Sequence, residues 1–489
     1  MTSRPIPSTS SAVHRFLPIL SWLPRYDRSS WRFDAIAGIT VWGLLIPEMI
    51  AYAGLAGLPP QAGLYTLVAS LALYAIFGTS RYLVVAGTSA SAVLVFSTVT
   101  ALRPSDASTY IALASGMIVL TGVLFLLAGV CRLGFVTAFL SKPVMEGFVF
   151  GLAIFVTISQ LPKLFGVAKV DGNSIEQLAG LVRSLDQTSL VTLAVGVVAL
   201  AMLFGIERLA PRVPAGLVVL VVSIGGSALF NLAARGVVTV GTLPSGLPTP
   251  SLPDVRAMDL WVLLPSAVAM ALVIFSEALG VGEAFAEDHD ERIDPDQELI
   301  ALGAANIGSG LLGGLAAGGS LSQSAVNEGA GARSEMSTLL AAGLSVVTVV
   351  ALTPLFADLP EAVLAALIIH AVSRLMKVRE MRSYYRLIPR EFWVAMLTLG
   401  SVIVFDVLLA LIIGIGASIL LLVYRSSRAL VSVLGRSSEI PGAFASIRRH
   451  PTAMAVPGVL IAQPDAALFY ANARSVPDAI TAACGQYKN

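Results

Sequence analysis

The chain has 489 residues, of which 56% are hydrophobic and 12% charged, with a formal net charge of +1. Soluble domains carry about a quarter charged residues, so the composition excludes an ordinary soluble protein, and a near-neutral balance gives no support for nucleic acid as a partner. Two cysteines (Cys131, Cys484) and four histidines match no metal or redox spacing, so no metal and no cofactor are expected, and His370, in an apolar run, reads as a satisfied core histidine.

The N-terminus is Ser- and Pro-rich with no secretory signal. Residues 1–33 read as a tail followed by an interfacial piece, in which Trp22 and Trp31 mix with Arg25, Arg28 and Arg32. A first span is expected over residues 35–58. Pro47-Glu48 inside it reads as a helix breaker followed by an acid at membrane depth, a placement that is costly and points to function. Pro59-Pro60 turns the chain into a second span ending near Phe77. Residues 82–102 are broken by Ala86-Gly87-Thr88-Ser89-Ala90-Ser91, the pattern of an extended piece, a small-residue break and a half-length helix. Further spans are expected at 110–130, near 148–161, 189–205 and 214–232, with a polar external loop over 163–187.

The second half opens with residues 261–284, where Glu277 stands in an apolar run. Residues 288–297 read as a solvated turn, and a span follows to about 314. Then Gly308 to Arg333 carries eight glycines among Ala and Ser. Irregular backbone in lipid is tolerated only where protein or a water-filled cavity covers it. Transporters use such breaks to aim half-helix N-termini, which favour anions, at a midplane site. Ser320-Leu321-Ser322-Gln323-Ser324 reads as the start of one such half-helix. Small-residue packing between ordinary helices is the alternative for this stretch. The remaining spans are expected at 336–356, 361–378, 392–404 and 407–424.

About fourteen segments in two groups of seven require the second group to be inverted. Arg81, Arg132, Lys142, Arg208, Arg212, Arg292 and the basic residues between 377 and 390 all follow even-numbered spans. The positive-inside rule then puts both termini in the cytoplasm. After Tyr424 a basic stretch leads to short apolar runs around 458–464 and 467–473 and a helical tail to about 483.

These motifs together resemble the SulP family of anion permeases. The carriers are Pro47-Glu48-Met49-Ile50-Ala51-Tyr52-Ala53, Leu58-Pro59-Pro60-Gln61-Ala62-Gly63-Leu64-Tyr65, Gly78-Thr79-Ser80-Arg81, Ser141-Lys142-Pro143-Val144-Met145-Glu146-Gly147, and Ser320 to Asn327 with Gly331-Ala332-Arg333. The resemblance implies an all-α polytopic membrane protein. Its core and gate bundles would form a seven-plus-seven inverted repeat, with short strands leading into half-helices three and ten. It implies domains at 1–33, 34–425 (the transporter) and 426–489, the last a linker and partial STAS domain in which Leu468 to Ala473 resembles the opening strands. It also implies a multi-pass cell-membrane location and, as a family expectation, a homodimer.

The same resemblance places the anion between the starts of spans three and ten. Tyr52, Thr88, Ser89, Ser91, Ser322 and Gln323 would bind substrate, and Glu277 with Glu48 would couple a cation, H⁺ or Na⁺. Many relatives carry Arg where Gln323 stands and Gln where Glu48 stands. The site thus trades a fixed plus for a potential minus. The expected function is secondary transport of an inorganic or small organic anion, sulfate foremost, coupled to H⁺. Bicarbonate or a C4-dicarboxylate is the alternative substrate. A nucleobase–proton symporter shares the architecture, and an anion channel or an inactive membrane protein is the rival of another class. No nucleophile–base set, phosphate loop or metal cluster supports an enzyme.

Overall fold

The computed structural model describes residues 16–135, 142–168, 170, 173–210, 213–241, 246–289, 291–373, 376, 378–405, 409–410, 412–414, 416–417, 420–421, 423, 431–437, 440, 442–464, 473 and 475–486. Contacts divide the chain into two units, Met1–Gly414 and Ile415–Asn489.

In the first unit the chain runs α1 (Trp31–Leu55), α2 (Pro60–Phe77), β1 (Val85–Gly87), α3 (Ser89–Ala101), α4 (Ala107–Val130), α5 (Lys142–Phe165), α6 (Ser174–Arg183), α7 (Leu190–Leu209) and α8 (Ala215–Phe230). It continues through α9 (Ala257–Asp288), α10 (Pro295–Leu311), β2 (Ala317–Gly319), α11 (Leu321–Gly329), α12 (Met336–Val347), α13 (Glu361–Ser373), α14 (Val378–Leu387) and α15 (Pro389–Val404). Among the described residues, seven helices are long and apolar enough to cross a membrane, and α3 and α8 are shorter apolar helices. Helices α1, α2, α4, α9, α10 and α12 pack on one another, while α5 packs on α13, α15 and α7.

The helix boundaries follow local chemistry. Asp106 caps α4 by accepting from Thr109 N–H, and Asp294 caps α10 by accepting from Asp296 and Gln297 N–H, with Pro295 at its first position. Small residues set the packing distances. A Cβ on Gly122 would meet Ile307 N at 2.8 Å, so α4 and α10 touch through backbone there.

Two expectations are corrected. Pro47 does not break the first span: α1 continues through it as 25 residues. A membrane helix tolerates an internal proline when neighbours cover it, and Gly216 of α8 packs against the Pro47 ring. The supposed polar loop over 163–187 contains the amphipathic helix α6, closed by a capping box between Asn173 and Glu176. Within the basic cluster between 377 and 390, residues Val378–Leu387 form the helix α14. The expected span over 407–424 is described only in part, with residues 407, 408, 411, 415, 418, 419, 422 and 424 outside the described residues, and residues 468–472 of the proposed STAS opening lie wholly outside them.

The second unit contains β3 (Val431–Arg436), β4 (Phe444–Ser446), β5 (Ile461–Pro464) and α16 (Ser475–Gln486). The strands form an antiparallel sheet ordered β4-β3-β5. β3 and β4 fall in the stretch expected as part of a basic linker.

Candidate functional site

β1 and β2 pair antiparallel, with Val85 opposite Gly319, Ala86 opposite Gly318 and Gly87 opposite Ala317. Each strand runs directly into a short helix, so α3 and α11 leave this pair in opposite directions and their N-termini lie at its two ends. Three-residue strands cannot satisfy a buried backbone alone. Buried side chains complete the hydrogen bonds. Asn306 accepts from Ala317 N–H (3.0 Å) and donates to Ala317 O (2.8 Å). Ser324 Oγ accepts from Val84 N–H (2.9 Å), and Thr66 Oγ1 accepts from Leu315 N–H (2.6 Å).

The two helix starts differ. Thr88 caps α3 in a reciprocal box with Ser91. The Ser320 hydroxyl does not cap α11 and instead lies 3.2 Å from Ser322 Oγ. The first N–H groups of an α-helix have no intrahelical partner. At α11 these belong to Leu321, Ser322 and Gln323, all of which line one large cavity, as do Ser89 and Ala90 at α3.

That cavity has a volume of about 1540 Å³. It reaches from the paired strands to Arg132 and Phe135, which are exposed. Of the predicted site residues, Glu48, Tyr52, Thr88, Ser89, Glu277, Ser322 and Gln323 all line it. Ser91 does not. It is fully buried, and its hydroxyl donates to Ala316 O at 2.8 Å while its N–H is held by Thr88 Oγ1. Its place is in the scaffold beneath the site, because a third-position residue in a capping box spends its N–H on the cap.

Gln323 is 1% exposed, and its Nε2 donates to Glu48 Oε2 at 3.0 Å. Its Oε1 is buried with no donor among the described residues. Glu277 is brought to the site by close approach of α9 to β2. A Cβ on Gly319 would meet Ala278 Cα at 2.8 Å, and one on Gly318 would meet Ile274 Cγ2 at 3.2 Å. At Gly319 the neighbour is backbone, so a side chain there would force it to shift.

Several members of the cavity and its scaffold carry little signal in the sequence. Asn306, Thr66 and Ser324 hold the broken backbone, and the one signal for them was a polar residue in an otherwise apolar segment. His370 is buried as expected, yet it also lines the cavity, with Nε2 2.6 Å from Glu207 Oε2. Nothing in the sequence pairs a histidine with an acid 163 positions away. Among the described residues no group of three or more His, Cys, Asp or Glu could hold a metal ion.

The model of the sulfate permease family matches residues 32–398. The "Probable sulfate transporter" of Mycobacterium tuberculosis is 35% identical over 469 residues, covering 96% of this chain and 83% of that protein. Among solved structures, the murine Solute Carrier 26 family member A9 anion transporter in the inward-facing state shares the fold at a TM-score of 0.86 and 23% identity, covering 99% of this chain and 83% of that one. The transmembrane domain of a cyanobacterial bicarbonate transporter, BicA, matches at a TM-score of 0.70 and 21% identity, covering 81% of this chain and 98% of that domain. With two helix N-termini aimed into one cavity and these relatives beside it, the chain belongs to the sulfate permease family of anion transporters and is not an enzyme.

Proposed function

We propose that the protein carries sulfate across the cell membrane together with protons. The observation that supports coupling is the charge of the cavity. Among the described residues, Glu48, Glu146, Glu207, Glu277, Glu283 and Asp296 line it against a single lysine or arginine, Arg132. A dianion entering such a space meets repulsion unless protons accompany it. The attraction comes from the N-termini of α3 and α11, each equivalent to roughly half a positive charge. In this reading Tyr52, Thr88, Ser89, Ser322 and Gln323 contact the anion, and Glu277 and Glu48 carry the proton. Loss of charge at Glu48 removes repulsion at the moment the anion binds. The bias of Lys and Arg toward one set of loops supports cytoplasmic termini.

The test is radiolabelled sulfate uptake into proteoliposomes, with and without an inward proton gradient, for the intact chain and Glu277→Gln. Uptake driven by the gradient and abolished by the substitution supports the reading. Sulfate uptake indifferent to the gradient removes the coupling.

One observation favours a second substrate. Gln323 Oε1 is a buried acceptor without a donor. Sulfate has no O–H to offer it at neutral pH, whereas hydrogen carbonate does. Competition of unlabelled hydrogen carbonate against labelled sulfate separates the two.

A further inference from the structure

The helix α14 joins α13 to α15 and takes no part in the anion site. It reads VREMRSYYRL. Arg379, Arg382 and Arg386 follow i, i+3, i+7 spacing and so share one face. All three are exposed. Among the described residues none of them forms an ion pair. The opposite face is fixed to the protein: Met381 is buried, and the Tyr384 hydroxyl bonds Glu146 of α5, its phenol pushed up by burial first and by Glu146 second. The arginine face is therefore held outward by the helix's own docking.

Exposed apolar and aromatic groups flank it. Val378 is 63% exposed, Leu387 76% and Tyr385 61%. The Tyr385 ring stacks edge-on against Phe392 at 5.2 Å, and Phe392 against Trp393 at 5.5 Å. Trp393, at the start of α15, is itself largely exposed. Aromatic rings at the mouth of a span mark the headgroup level of a bilayer. A basic stripe bordered by apolar side chains is the arrangement of a helix lying in that interface.

We infer that α14 is a docking surface for acidic phospholipid headgroups, with Arg379, Arg382 and Arg386 holding the phosphates and Val378, Tyr385 and Leu387 entering the acyl boundary. The partner is fixed by charge complementarity and by the aromatic border, which a free anion in solution would not need. The consequence is mechanical. α14 is covalently continuous with α13 and α15, which both pack on α5. Lipid bound here anchors that group of helices to the membrane while the strands and half-helices bearing the anion site lie on the other group.

The test uses the full chain in neutral detergent, offered equal amounts of phosphatidylglycerol and phosphatidylcholine, with retained lipid counted by native mass spectrometry. Each arginine contributes about fivefold to binding of an anionic lipid. The triple variant R379Q/R382Q/R386Q should then bind phosphatidylglycerol on the order of a hundredfold more weakly, and the triple Arg→Lys variant should keep most of the binding. Unchanged phosphatidylglycerol retention in the glutamine variant overturns the proposal. So does displacement of the lipid by millimolar inorganic phosphate, which would mark a site for soluble anions. If the triple variant fails to give a wild-type melting profile, R382Q alone, with an expected loss of about fivefold, carries the same test.

Discussion

Gln323 on α11 donates to Glu48 on α1 across 3.0 Å, tying the start of a short helix to a full-length span at the wall of the large cavity. The amide has one partner for its N–H and none for its carbonyl. The proposed function has Glu48 neutral when the anion binds.

Glu48→Gln should mimic that neutral state permanently. The KM for the transported anion at pH 8 should fall about tenfold, since a hydrogen bond or repulsion involving a charged group is worth roughly 1.5–3 kcal/mol, and its pH dependence should flatten. A KM–pH profile identical to that of the unmodified chain would show that Glu48 only braces Gln323.

Gly319→Ala tests whether the broken segment depends on close approach. The new methyl would lie 2.8 Å from Ala278 Cα and 2.9 Å from a Leu83 methyl. Backbone must shift, at roughly 1–3 kcal/mol, and β2 carries the start of α11 with it. A lowered Tm in detergent together with a raised KM is expected. A lowered Tm with unchanged KM would mean that α11 is positioned independently of β2.

Asp34 is a fully buried carboxylate at the start of α1. It accepts from Arg333 N–H (2.7 Å), Ser334 N–H (3.1 Å), Ser334 Oγ (2.8 Å) and Tyr26 Oη (2.9 Å). Asp34→Ala strands these donors and should cost roughly 3–5 kcal/mol. Thermal melting of the purified chain is the check, and a Tm within a degree or two of wild type would contradict it.

Glu335, half-buried just before α12, has its carboxyl pushed up to about 7, chiefly by burial, with Glu291 and Asp34 adding to the shift and Arg81 opposing it. A carboxyl raised in the folded state binds its proton more tightly there than in the unfolded chain. Stability should therefore be highest at low pH and decline as pH rises from the ordinary carboxyl range through about 7. The loss should be roughly 1–3 kcal/mol once solvent screening is allowed for. Glu335→Gln should remove this part of the decline when Tm is compared at pH 5 and pH 8. Parallel curves for the two proteins would assign the decline to other groups.

Much of this protein was legible as sequence because a bilayer imposes strict rules on a chain. Composition alone required spanning helices. The clusters Thr88-Ser89-Ala90 and Gly318-Gly319-Ser320 announced breaks that lipid does not tolerate without cover, and both proved to be strand-to-helix junctions. Pro47 misled because its local effect is to break a helix, while packing against Gly216 decides the outcome. Ser91 shows a related limit. Its residue type fits an anion site, but only its partners show that the hydroxyl points to Ala316.

What the sequence by itself determined is the class of the chain, the positions of its two discontinuous helices and most of the side chains near them. These follow from local rules: spacing, helix-start chemistry and the cost of polar groups in lipid. The tertiary structure alone decided the pairing of residues far apart in the chain. The 85–87 strand meets 317–319, Glu48 meets Gln323, and His370 meets Glu207. Such pairings rest on how helices pack through their small residues, and no periodicity within one segment encodes which other segment it will touch.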